Sequence, residues 1–169
     1  MVHALGSFMD TVAIRLTPQQ DLRAELDAFA IQHALEAACI LTCVGSLTKA
    51  VLRFAGQQEA SVHEGPFEIV SLTGLFSRYG AHYHMAIADT TGRTLGGHVM
   101  PGCLIYTTAE VVIGILPDIK FEREYDATTG YRELAIAPLV NPFSSCSDSP
   151  YSDSPYSDSP YSDSASQLP

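Results

Sequence analysis

The spacing of apolar positions along the chain changes period once. Leu22, Leu26, Phe29 and Ala30 recur at the three- and four-residue steps of a helix face. Ahead of them, Thr17-Pro18-Gln19-Gln20 supplies a hydroxyl for the N-cap, a proline at the first helical position and a glutamine at the third. The pattern predicts one amphipathic helix over 18–35. Beyond it, runs rich in β-branched and aromatic residues are cut by glycine and proline, which predicts strands over 38–44, 50–54, 67–76, 82–89, 95–100, 104–116 and 121–125. Strands in close succession, with no helical pattern between them, have no segments for parallel crossovers. The expected class is α+β, a mainly antiparallel sheet with one principal helix.

After residue 140 the periodicity stops. SDSPY repeats three times and gives way to SDSASQLP. Each repeat brings one aromatic and no aliphatic residue, so little apolar surface is available to offset the entropy of ordering the chain. The organisation expected is a folded domain over 1–140 and a disordered low-complexity tail over 141–169. Ser149, Ser154 and Ser159 each precede a proline. That suits a phosphorylation or docking segment, and equally a plain solvated extension.

Composition narrows the class. At 169 residues, 46% hydrophobic and 17% charged, the chain has the makings of one core. Nine cationic side chains stand against nineteen acidic ones, for a net charge of −10, and with the four aspartates of the tail set aside the body still carries −6. A protein that coats DNA by bulk charge is excluded, because that affinity comes from cationic neutralisation of phosphates. No apolar run reaches the length of a membrane span and the first residues, MVHALGSFMD, have no basic, apolar leader pattern, so the expected location is cytoplasmic. Cys39, Cys43, Cys103 and Cys146 are too few and too uneven for a disulfide framework. Cys39 and Cys43, four apart on a strand, would stand about 13 Å from each other, and both are read as reduced thiols packed as small hydrophobes.

The stretch from His82 to His98, HYHMAIADTTGRTLGGH, holds three of the six histidines. On a strand His82 and His84 project from one face. If Thr90 and Thr91 form a type I turn and Gly92 takes the left-handed position, Asp89 pairs with Arg93 across a three-residue hairpin loop. Counting outward sets His84 opposite His98, close enough for three imidazoles to meet on one cation. Gly96-Gly97 could interrupt that register with a bulge or allow a close backbone approach. Three neutral imidazoles match a zinc site with an open coordination position, which serves a water or a ligand better than a structural staple. Nickel, iron or manganese suit the same ligands. The plainer account is a set of sheet histidines satisfied by hydrogen bonds.

Three segments in order, GPFEIVSLTG at 65–74, YGAHYHMAIADTTGRTLGGHVMPGC at 79–103 and YTTAEVVIG at 106–114, resemble the plants-and-prokaryotes-conserved (PPC) domain family over about residues 11 to 136. The resemblance implies a compact α+β domain that assembles as a homotrimer. Plant members join it to AT-hook segments that bind the minor groove, which is why bacterial relatives are labelled DNA-binding. A related fold, acetolactate decarboxylase, is a zinc enzyme with a His-x-His pair and a further histidine, a pattern repeated by His82, His84 and His98. Zinc-dependent lyase or hydrolase chemistry on a small carboxylate is thus implied by analogy of fold alone. No Arg-Gly-Arg-Pro hook occurs in this chain, and Pro66 stands where plant members carry an arginine. Gly65, Phe67, Glu68 and Ile69 are carried over as a structural or interface segment.

Around an open metal site a cation would orient an anionic ligand and a carboxylate would move protons. Arg53, the one charge in AVLRFAG, is the substrate-binding candidate; Glu68 and Glu110, each within an apolar strand, are the catalytic candidates. Each of the three also suits a solvent-facing strand position. His3, His33 and His63 are assigned no role. The expectation is a divalent-metal, small-molecule-binding homotrimer. The alternative is a regulatory module that reaches DNA only through partner proteins.

Overall fold

A computed structural model describes residues 5–139. The expectations for the tail, for Cys146 and for His3 lie outside those residues. The elements run β1 (Asp10–Leu16), α1 (Leu22–Gln32), β2 (Ala38–Arg53), β3 (Ser61–Ser77), β4 (Gly80–Ala88), β5 (Thr94–Val99), β6 (Leu104–Ile115), β7 (Ile119–Asp126) and β8 (Tyr131–Pro138). The fold is α+β, as expected, and every strand pair is antiparallel. Six strands form a sheet in the order β1-β6-β2-β3-β4-β5, and β7 and β8 form a separate hairpin. None of the described helices is long and apolar enough to cross a membrane.

The long strand β2 shapes the molecule. One of its edges follows β3, while the other pairs with β6 and then, at Leu52 and Arg53, with Val99 and His98 of β5. That last contact brings the far edge of the sheet back to β2 and closes it around a core, which includes Leu47, Leu52, Met85, Ile87, Val99 and Ile105. Leu22, Leu26 and Ala30 of α1 are wholly buried against this core, which uses the apolar stripe read from the sequence. β5 can enter between β4 and β2 because its centre is glycine. A Cβ on Gly96 would lie 2.8 Å from the Met85 carbonyl oxygen, and one on Gly97 would lie 2.8 Å from that of Arg53. The register through both glycines is continuous, so the pair serves close approach and makes no bulge.

The helix begins later than the sequence signals suggest. Gln20 Oε1 accepts from the Thr17 amide at 2.7 Å and from its hydroxyl at 3.0 Å, as a capping box would have it. Gln19, however, sits at φ 71°, so the bonds close a turn. The cap is Asp21, whose carboxylate accepts from the amides of Arg23 and Ala24. Strands predicted over 38–44 and 50–54 are one strand, β2. β1 and β8 were not expected at all.

Candidate metal centre

The hairpin between β4 and β5 sets the site. Asp89 donates its amide to the Arg93 carbonyl at 3.0 Å, Gly92 donates to the Asp89 carbonyl at 2.9 Å, and Gly92 sits at φ 82°, which favours glycine. The Asp89 carboxylate accepts from the Thr91 hydroxyl at 2.6 Å and from the Thr91 and Arg93 amides. Bonds from Thr91 above all hold its carboxyl below the ordinary range. With this loop in place, the pairing Ala88–Thr94 leads without interruption to His84–His98. Tyr83 and Met85 alternate inward to the core, which turns His82 and His84 out together.

His82 Nε2 and His84 Nε2 are 3.1 Å apart, and one ring nitrogen from each of His82, His84 and His98 lies within 4.8 Å of the others. Zinc–nitrogen bonds of about 2.0–2.1 Å place two tetrahedral ligand atoms roughly 3.3 Å apart. The His82–His84 pair therefore already has that spacing, and the widest separation needs a small adjustment of side chains that are exposed or half-buried. Protonation favours the same use. Burial, and then the positive neighbours His82 and Arg53, push His98 down to about 4, and burial followed by His84 lowers His82. Neutral imidazole is the form that donates a lone pair to a metal.

Arg53 pairs directly with His98, so Arg53, His98, His84 and Thr73 form one row across four neighbouring strands. The predicted cation is therefore beside the histidines. Glu68 and Glu110 are not. Both are exposed, Glu110 is aligned with Arg15 of β1, and neither lines the hollows that the histidines border. Phe67 and Ile69 are buried in the chain's own core, so their side chains are unavailable to a partner, whereas Gly65 and Glu68 are at the surface. Cys43 is buried as expected, but Cys39 is only half-buried and lines the hollow that carries His82 and His84.

Residues from β7 and β8 complete the surroundings. Arg123, Arg132 and Glu133 share a hollow of about 510 Å³ with Arg53, His82 and His98. Arg123 Nη2 donates to the Leu75 carbonyl at 3.2 Å, Arg132 Nη1 donates to the Arg123 carbonyl at 3.2 Å, and Glu133 accepts from the Thr129 hydroxyl at 2.9 Å. Sequence reasoning missed all three. The one available signal was the weak alternation of REYDATTGYREL around a turn.

Comparison with known proteins agrees with this architecture. A bifunctional protein GlmU of Synechococcus sp. (strain JA-3-3Ab) is 49% identical over 123 residues, 73% of this chain and 20% of that protein. The chain thus spans about a fifth of the length of the curated relatives it matches first. A hypothetical protein of Salmonella enterica has the same fold at TM-score 0.79 and 44% identity, over 82% of this chain and all of the other. A metal-containing protein of Archaeoglobus fulgidus aligns at TM-score 0.68 and 24% identity, over 79% of this chain and 99% of the other; at that identity the likeness is one of fold. Other solved structures of the fold, at 17% and 18% identity, are described as DNA-binding, again a likeness of fold alone. The Plants and Prokaryotes Conserved (PCC) domain matches residues 3–117, ending before β7, short of about residue 136, to which the resemblance in sequence extends. The chain belongs to the PCC domain family.

Proposed function

We propose that this protein is a metal-dependent binding module for a small carboxylate, with a divalent ion, zinc by its ligand set, held on His82, His84 and His98. The observation that carries the reading is the convergence of three imidazole nitrogens within 4.8 Å on paired strands. His82, His84 and His98 would hold the ion, and a zinc ion bound there would supply Lewis-acid chemistry towards a ligand oxygen. Arg53, in register with His98, supplies the fixed positive charge that orients a carboxylate there. Glu133, and neither Glu68 nor Glu110, is the carboxylate lining the same hollow, and any proton transfer would fall to it. The working unit is a homotrimer.

Metal analysis of tag-free protein tests the core of this reading. One zinc per chain is expected, falling to near zero in His98→Ala with the far-ultraviolet spectrum unchanged. Near-zero metal in the unsubstituted protein after zinc loading overturns the proposal. Light scattering tests the assembly separately: three times the 18.2 kDa chain mass is expected, and a monomer ends the trimer reading.

A further inference from the structure

Of the seven arginines in this acidic chain, four (Arg23, Arg53, Arg123 and Arg132) line a single hollow beside the histidines. Among the described residues only Arg23 of these four has a carboxylate within ion-pair distance, Asp27 at 3.5 Å. Among the described residues, Arg123 and Arg132 each donate to one backbone carbonyl and keep further N–H groups unbonded, and Glu133 is the only carboxylate lining the hollow. Nineteen acidic side chains were available to neutralise these guanidiniums. With three of them lacking a carboxylate within ion-pair distance among the described residues, and Glu133 alone to offset them, the guanidiniums around this space of about 510 Å³ repel one another, and an anion would relieve that. The volume is that of a small-molecule site.

We infer that the β7–β8 hairpin makes the site selective for small dianions: one carboxylate at the histidine centre, and a second anionic group gripped by Arg123 and Arg132 with Arg53 between the two. This rests on the metal-centre reading for the first anchor, while the second anchor is built from different residues. Guanidinium forks recognise carboxylate and phosphoryl oxygens alike, so the shared chemistry is a second planar or tetrahedral oxyanion a few bonds from the first. The hairpin lies beyond the matched family segment, which ends at residue 117. Arg123 and Arg132 are accordingly the specificity-determining residues, carried by a hairpin that stands apart from the main sheet.

Calorimetric titration of the full chain with acetate, succinate and 2-phosphoglycolate, with and without zinc, tests the inference. Both dianions are expected to bind at least about tenfold more tightly than acetate, and Arg123→Gln or Arg132→Gln to remove about that factor while leaving acetate affinity and zinc stoichiometry unchanged. Arg123→Lys keeps the charge and should retain part of the preference, which separates recognition from a failure to fold. Whichever dianion binds more tightly identifies the second group as carboxylate or phosphoryl. Absence of any dianion preference with and without zinc overturns the inference, as does an equal loss of acetate and dianion binding in the glutamine variants. A protein that takes no zinc yet prefers succinate through Arg123 would instead overturn the metal reading alone.

Discussion

Tyr83 stands between the two strand histidines and points the other way, and its hydroxyl has to be satisfied inside the core. It donates to Asp27 Oδ1 of α1 at 3.2 Å, and burial together with that carboxylate holds the phenol protonated far above its ordinary range. Asp27 is strained in return. Burial outweighs the lowering influence of Arg23 and raises its carboxyl above 3.8. A carboxyl with a raised folded-state pKa binds its proton more tightly folded than unfolded, so stability falls as pH rises from the unfolded pKa through the folded one. Asp27→Asn keeps an acceptor for the Tyr83 hydroxyl and removes that titration. The variant should match the parent below about pH 4 and equal or exceed it at pH 7, by no more than about 0.5 kcal/mol, since Asp27 is partly exposed and the 3.5 Å pair with Arg23 is lost. Urea midpoints at both pH values check this; a variant clearly weaker at pH 7 would show that the ion pair dominates. At this scale the sequence was most readable for the histidines, because a strand fixes side-chain direction by residue parity and the DTTGR loop fixes the register. It was least readable for Glu68 and Glu110, where polarity within an apolar strand says that a side chain faces out and nothing about what stands opposite.

Elements tell a different story about legibility. The apolar stripe marks the helix, and its start falls at Leu22 rather than residue 18 because two cap signals lie four residues apart. Thr17 with Gln20 forms a sound local motif, yet the left-handed Gln19 directs it into a turn and leaves the cap to Asp21. β8 was missed because it pairs only with β7 and buries little, so its sequence carries no strong alternation. The hairpin is anchored at its root instead. Ile119 and Phe121 pack with Ala37 in a small second core, and the Ser77 hydroxyl donates to the Phe121 carbonyl at 2.7 Å. β5 depends on the opposite device, the absence of side chains. Gly97→Ala would put a methyl group 2.8 Å from the Arg53 carbonyl oxygen and lever β5 away from β2. The substitution removes no histidine, but it should lower zinc stoichiometry or affinity at least about tenfold and cost roughly 1–3 kcal/mol of stability, as overpacking between fixed backbones does. A Gly97→Ala protein with unchanged stability and metal affinity would mean that the strands can part freely there and that β5 does not depend on a fixed distance from β2.

Closure of the sheet was beyond what the sequence could show. It requires β2 to continue through Gly45 and reach His98 with its last residue, a contact between segments about 45 residues apart that no local pattern encodes. Yet that closure decides how charge is distributed over the molecule. It gathers Arg53 with Arg23, and the β7–β8 hairpin brings Arg123 and Arg132, into one concave place of a chain whose net charge is −10. A protein that grips a duplex spreads its cations along a strip and releases a counterion for each phosphate met, which gives log K against log salt a slope of about −0.9 per contact. One hollow can admit one or two phosphates, so any DNA affinity of the isolated chain should be weak and its slope no steeper than about −2. Mobility shifts across a salt series, read with and without succinate, would measure this, and succinate should abolish whatever retardation there is. Retardation with a slope of about −6 or steeper that succinate leaves untouched would require a cationic track elsewhere on the molecule, and the arginine hollow could not be the part that meets DNA.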